Sequence, residues 1–180
     1  MLNPQESVLI IVDVQGKLAK MMRNAQALED NISTLIEAAT LFNIPILWLE
    51  QLPDKLGATS DKLREQLVAA HQPIAKAHFS AWHAPEFRAA LTATARNNVL
   101  LAGIETHICV YQTCRDLLSN QYQVHVIADA VSSRTAENRS LGIEMMLQHG
   151  ALLNNTESLL FELQQEAKGE RFKALLKLIK

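Results

Sequence analysis

The sequence predicts an α/β domain of three layers, α/β/α, around one six-stranded parallel sheet, and three observations carry that prediction. Short apolar runs rich in β-branched residues alternate with longer stretches of helical period almost to the C-terminus. The first run, Val8-Leu9-Ile10-Ile11-Val12, is continuous rather than alternating, which suits a strand covered on both faces. The chain has 180 residues, 48% of them apolar. One domain of that size buries roughly 70% of its unfolded surface and builds a core without metals or disulfides.

After Val8 to Val12 a helical stretch runs from about Asn24 to Phe42, and Pro45-Ile46-Leu47-Trp48-Leu49 supplies the second strand. Gln51 to Ala58, with Pro53 and Gly57, reads as a loop directly after it. Helices follow over Asp61 to Ala70 and Glu86 to Arg96, separated by a short strand at Pro73-Ile74-Ala75-Lys76. Asn98 to Ala102, Gln123 to Ala128 and Ala151 to Leu153 are the remaining strands, with helices near His107 to Ser119 and Arg134 to His149 between them. Right-handed crossovers place the helices on both faces of the sheet, a Rossmann-like arrangement. No repeat, low-complexity tract or Pro/Gly/Ser-rich linker divides residues 1–180, so they read as a single domain with C-terminal helices from about residue 156. The last segment, Lys168 to Lys180, sets Phe172, Leu175, Leu176 and Ile179 at i, i+3, i+4 and i+7 and holds five basic residues against Glu170. Its simplest reading is a helix packed on its own domain or on a sister subunit.

Composition excludes several classes of function. Lys and Arg number 17 against 19 Asp and Glu, a net charge of −2, whereas gripping nucleic acid needs a concentrated basic excess. MLNPQES lacks a basic leader, and the run after it falls far short of the ~20 apolar residues of a membrane span. The expectation is a soluble, cytoplasmic protein without nucleic-acid or membrane partners. The only cysteines, Cys109 and Cys114, are five positions apart and form neither a disulfide framework nor a zinc pattern.

Chemistry concentrates at the ends of strands. A dinucleotide fingerprint would place G-x-G-x-x-G after the first strand, but Asp13-Val14-Gln15-Gly16-Lys17 stands there, and no Walker loop occurs. Instead three ionisable groups close strands: Asp13 the first, Lys76 the third, and Cys109 shortly after the fourth. In a doubly wound sheet the carboxyl ends share one edge, so these three can meet there. A thiol becomes a useful nucleophile when an ammonium or a helix N-terminus stabilises its thiolate, and Asp13 would act as general base and acid. Taken singly, Asp13 is also an ordinary helix cap, Lys76 a solvated lysine and Cys109 a small buried hydrophobe. His107 lies ~200° around a helix from Cys109, which argues against a local dyad. Cys114 and His125 read as core residues, and Asp129 as a structural strand-end carboxylate. Phe79, Trp82 and His83, just beyond Lys76, serve equally as a ligand wall or as ordinary packing.

The segment Gly103-Ile104-Glu105-Thr106-His107-Ile108-Cys109-Val110 closely resembles the nucleophile motif of the isochorismatase-like cysteine hydrolases, the superfamily that includes nicotinamidases, N-carbamoylsarcosine amidases and isochorismatase-domain proteins. Three further matches follow the same order: Asp13-Val14-Gln15 like D-x-Q, Lys76 with Phe79-Ser80-Ala81 like K-x-x-F-S, and the pair Asp129-Ala130. The likeness spans about residues 7 to 155. It implies Asp13, Lys76 and Cys109 as a catalytic triad, a cis peptide between Ile104 and Glu105, and an oxyanion hole made by the backbone N–H groups of Glu105 and Cys109. Gln15, Gln51, Phe79, Trp82 and His83 are the substrate-pocket candidates.

Where the chain departs from the superfamily, it narrows the expectation. Nicotinamidases carry an Asp and several His after the second strand; here Glu50-Gln51-Leu52-Pro53-Asp54 occupies that place and no histidine follows until His71. The expectation is an enzyme with no metal and no cofactor. Isochorismatases proper do not rely on the cysteine, so a retained Cys109 points to a small amide or related acyl substrate. The resemblance also implies a homo-oligomer. A reading of another class stands beside it: a non-catalytic oligomeric binding protein that keeps the hydrolase fold, motivated by the unmatched amphipathic tail and the lack of a substrate signature.

Overall fold

Strand Ser7–Val12 (β1) lies at the centre of the sheet, and all six of its residues are buried. The computed structural model describes residues 1–68 and 71–179. A short helix Gly16–Lys20 (α1) and a long one, Ala25–Leu41 (α2), lead to β2, Ile46–Gln51. A single helical turn, Pro53–Leu56 (α3), interrupts the loop expected there, and Asp61–Leu67 (α4) precedes β3, Ile74–Lys76. The expected extension of that helix to Ala70 lies outside the described residues, as does Lys180. Then come Pro85–Thr94 (α5), β4 over Asn98–Ile104, Tyr111–Ser119 (α6), β5 over Gln123–Ser132, Ala136–Gln148 (α7), β6 over Leu152–Asn154, Thr156–Gln164 (α8) and Gly169–Leu178 (α9).

The six strands pair in the order β3-β2-β1-β4-β5-β6, and every pair is parallel. That order reverses between β1 and β4, so the crevice outside their carboxyl ends is where such sheets place a ligand. Alternate residues of β1 feed two cores. Leu9 and Ile11 face α2, α8 and α9, whereas Val8, Ile10 and Val12 face α5, α6 and Met146 of α7. Cys109 and Cys114 belong to the second core.

Two glycines fix the approach of the elements. At Gly103 (φ +136°) a Cβ would come within 2.3 Å of the Val12 carbonyl oxygen, so β4 lies against β1 only with glycine there. At Gly142 of α7 a Cβ would meet Thr106 and His107 main-chain atoms at 2.6–2.7 Å, so α7 rests directly on the turn that carries Cys109. Strand β5 runs four residues beyond the expected Ala128, because its register on β4 shifts between Leu101 and Gly103 and pairing then resumes at Val131 and Ser132.

Candidate active site

The residues that follow β1, β2 and β4, namely Asp13, Leu52 and Glu105, all take left-handed backbone conformations, with φ of +56°, +40° and +55°. Such φ values are unfavourable for residues with a Cβ and persist where surrounding structure imposes them. Each turns the chain sharply off its strand end. The superfamily likeness implied a cis peptide between Ile104 and Glu105; that bond is trans, and no cis peptide occurs among the described residues. The positive φ of Gly103 and of Glu105 makes the reversal instead.

Asp13, Lys76 and Cys109, 96 positions apart at their extremes in sequence, come together in the crevice. All three are buried. Lys76 Nζ donates to Asp13 Oδ2 at 2.7 Å, to Gln51 Oε1 at 2.6 Å, and to the main-chain carbonyls of Phe79 and His78 at 3.1 and 3.2 Å. The Cys109 thiol lies close enough to the same carboxylate for each group to shift the ionisation of the other, and Asp13 Oδ1 is buried with no hydrogen-bond partner among the described residues. Burial raises the pKa of Asp13 above the ordinary value, with Glu50 adding to the rise and Lys76 and Cys109 opposing it.

The thiol departs from the expectation of a stabilised thiolate. Burial first, and then the Asp13 charge, push Cys109 up to about 12, and Lys76 only partly offsets them. Cys109 therefore rests as a thiol beside the Asp13 carboxyl group. It lies in a π-helical turn, Thr106–Val110, that leads into α6. Ile108 and Val110 N–H groups donate to the Glu105 carbonyl at 2.8 and 3.4 Å, whereas the Glu105 N–H has no acceptor among the described residues. The Glu105 side chain holds the turn from the other side: Oε1 accepts from Arg134 Nε at 2.6 Å, and Oε2 lies 3.5 Å from His107 Nδ1, which also contacts Ser133 Oγ at 3.1 Å.

The pocket candidates divide. Gln15 accepts from the Gln51 N–H at 2.6 Å and donates to the carbonyls of Gly57 and Gln51 at 2.6 and 3.2 Å. Gln51 uses its Oε1 on Lys76 and its Nε2 on the Ala77 carbonyl. Both amides are committed at both ends to holding the site. Trp82 packs edge-on against Tyr122, His83 reaches outward to Asp116 at 3.4 Å, and the Phe79 residue is 56% exposed. A cavity of about 710 Å³ borders Val14, Gly16, Thr59 and Lys62, yet its lining leaves out Asp13, Lys76 and Cys109. Asp129 is structural, as its position suggests: Oδ1 accepts from the Thr156 N–H and Oγ1 at the start of α8, both at 2.8 Å.

Sequence reasoning missed Glu50 as an individual residue. Its buried Oε1 accepts from the N–H and Oγ1 of Thr59 at 2.7 and 2.8 Å, which ties the loop after α3 to the site. Only the strand-end position, shared with Asp13, could have signalled it. Among the described residues no group of three His, Cys, Asp or Glu side chains has metal-binding geometry, and no helix is long and apolar enough to cross a membrane.

Comparison with known proteins matches this arrangement to one family. The isochorismatase domain model matches residues 7–158. The secreted isochorismatase effector Isc1 of Phytophthora sojae is 39% identical over 183 residues, covering 99% of this chain and 87% of its own. The structure of MAR1 ribonuclease from Caenorhabditis elegans superposes with a TM-score of 0.93 at 36% identity, over 99% of this chain and 91% of that one. YcaC from Pseudomonas aeruginosa, solved with hexane-2,5-diol and covalent acrylamide, gives 0.91 at 26% identity, over 98% and 90%. With a family model across most of its length and a relative of that likeness over nearly all of it, the chain belongs to the isochorismatase family of hydrolase-fold proteins.

Proposed function

We propose that the chain is a cysteine-dependent hydrolase of a small amide or related acyl compound. The observation that supports this most is a single buried carboxylate, Asp13, held between the ammonium of Lys76 and the thiol of Cys109. Burial and the Asp13 charge push the thiol well above its ordinary value, so the nucleophile is formed as it reacts. Asp13 takes the Sγ proton while Sγ bonds to the substrate carbonyl carbon. The N–H groups of Glu105 and Cys109 receive the developing oxyanion. The C–N bond then breaks, Asp13 returns the proton to the leaving amine, and a thioester on Cys109 remains. Water attacks that thioester, gives its proton to Asp13, and the C–S bond breaks with the proton restored to Sγ, releasing the acid. Lys76 holds the Asp13 carboxylate in position throughout.

Covalent acrylamide on the P. aeruginosa relative supports an amide-bearing electrophile as a fitting probe of such a site. A nuclease activity, as the C. elegans relative is described, finds no support in the charge of this chain: the buried ammonium of Lys76 is fully engaged. The leucines at 141, 147, 152 and 153, all exposed on α7 and β6, support assembly with further copies of the chain. The deciding experiment screens a library of small amides and follows the hit in variants. Cys109→Ala is expected to abolish turnover, and Asp13→Asn to lower kcat/KM by about 10²–10⁴. Full turnover in both variants rejects the mechanism.

A further inference from the structure

The charge a substrate can carry follows from how the site engages its cations. An ammonium has three protons, and Lys76 Nζ already has four acceptors: Asp13 Oδ2, Gln51 Oε1 and the carbonyls of His78 and Phe79, at 2.6 to 3.2 Å. Nothing on it is left for a ligand. Arg134, half exposed at the nucleophile turn, gives Nε to Glu105 Oε1 at 2.6 Å, and its charge is not among those that act on Cys109. Against these two cations stand three buried carboxylates: Asp13, Glu50 and Glu105. Among the described residues Glu50 has no cationic partner; its two hydrogen bonds come from Thr59, and it raises the pKa of Asp13. The charges of Asp13 and Glu105 both fall on Cys109. His107 lies 3.5 Å from Glu105 and contacts Ser133 Oγ at 3.1 Å.

An anionic group brought against Cys109 would lose its water, find Lys76 fully engaged, and meet the Asp13 and Glu105 charges that act on the thiol, in a buried setting that screens them poorly. Repulsion of this kind discriminates as strongly as a favourable contact does. Resting on the reading of Cys109 as the nucleophile, we propose that the site selects acyl substrates without negative charge, neutral amides foremost, and turns away carboxylate- and phosphate-bearing ones.

Iodoacetamide and iodoacetate test this, because they share a reacting carbon and a leaving group and differ in charge. With each, Sγ bonds to the methylene carbon, the C–I bond breaks, iodide leaves, and the thiol proton passes through Asp13 to solvent. Labelling of Cys109 in the full chain is followed by peptide mass spectrometry at pH 8, and the same protein unfolded in urea sets the reference. The expected ratio of iodoacetamide to iodoacetate rates at folded Cys109 exceeds the unfolded ratio by at least tenfold. Glu50→Gln keeps an Oε1 for both Thr59 bonds and removes one negative charge; it is expected to narrow the ratio at least threefold. Equal ratios in the folded and unfolded protein overturn the charge selectivity and leave the nucleophile intact. A large ratio untouched by Glu50→Gln overturns the part given to Glu50. No labelling of folded Cys109 by either reagent overturns the nucleophile reading itself.

Discussion

Asp13 is an acid that folding makes reluctant to ionise. Burial is the largest cause, Glu50 adds to it, and Lys76 at 2.7 Å opposes it without prevailing. The folded state thus binds this proton more tightly than the unfolded chain does. The stability Asp13 contributes is complete below its ordinary value of about 3.9 and is lost as pH rises through the raised folded value. Urea unfolding of the parent and of Asp13→Asn between pH 4 and 8 should therefore show a stability difference that moves in favour of the variant as pH rises. A difference moving the other way would mean that Lys76 outweighs burial. The three central residues were legible in the sequence because strand ends share an edge, so three ionisable side chains at three ends are forced into one crevice. The state of the thiol was not, since a cysteine code carries no record of how completely its surroundings exclude water. Gln15 and Gln51 were legible as site residues but not as clamps: that role exists only in hydrogen bonds between segments 36 positions apart.

Among the elements, the nucleophile turn is the one most dependent on its neighbours. Thr106–Val110 is π-helical, a geometry with few bonds of its own, and α7 presses on it through Gly142. Gly142→Ala would set a Cβ 2.6 Å from the Thr106 carbonyl carbon and the His107 nitrogen, both main-chain atoms that cannot swing away. The helix or the turn has to shift, at a cost of about 1–3 kcal/mol. Urea midpoints should show that loss, and the iodoacetamide rate at Cys109 should change with it. An alanine variant of parental stability and reactivity would show that α7 does not hold the turn. Sequence patterning found the six strands and the main helices because burial on one or two faces imposes a period. It set the end of β5 too early, since the continuation past Ala128 depends on a register shift against β4. The left-handed residues Asp13, Leu52 and Glu105 were invisible for a related reason: none is a glycine, and their conformation comes from tertiary packing rather than local preference.

At the scale of the whole molecule, the family match ends at residue 158, inside α8, yet the core continues past it. Leu159, Leu160, Leu163 and Leu175 are buried with the residues of α2 and β1, and Leu178 and Ile179 pack against the same cluster. Arg171 lies 4.9 Å over the Phe42 ring at the end of α2 and gives Nε to Gln164, while Lys168 and Lys173 pair with nearby glutamates on the surface. The basic tail is thus a helix packed on its own domain, its charges directed outward by the burial of Leu175. This core lies across the sheet from the one that holds Cys109. Stability and chemistry should separate accordingly. Leu175→Ala leaves a cavity under α9 and is expected to cost about 2–5 kcal/mol in urea unfolding, with the iodoacetamide rate at Cys109 in the native protein unchanged within twofold. A cost below about 1 kcal/mol would make α9 a peripheral appendage. A matching loss of Cys109 reactivity would mean that the sheet transmits strain from one core to the other, and the two faces would then have to be treated as one mechanical unit.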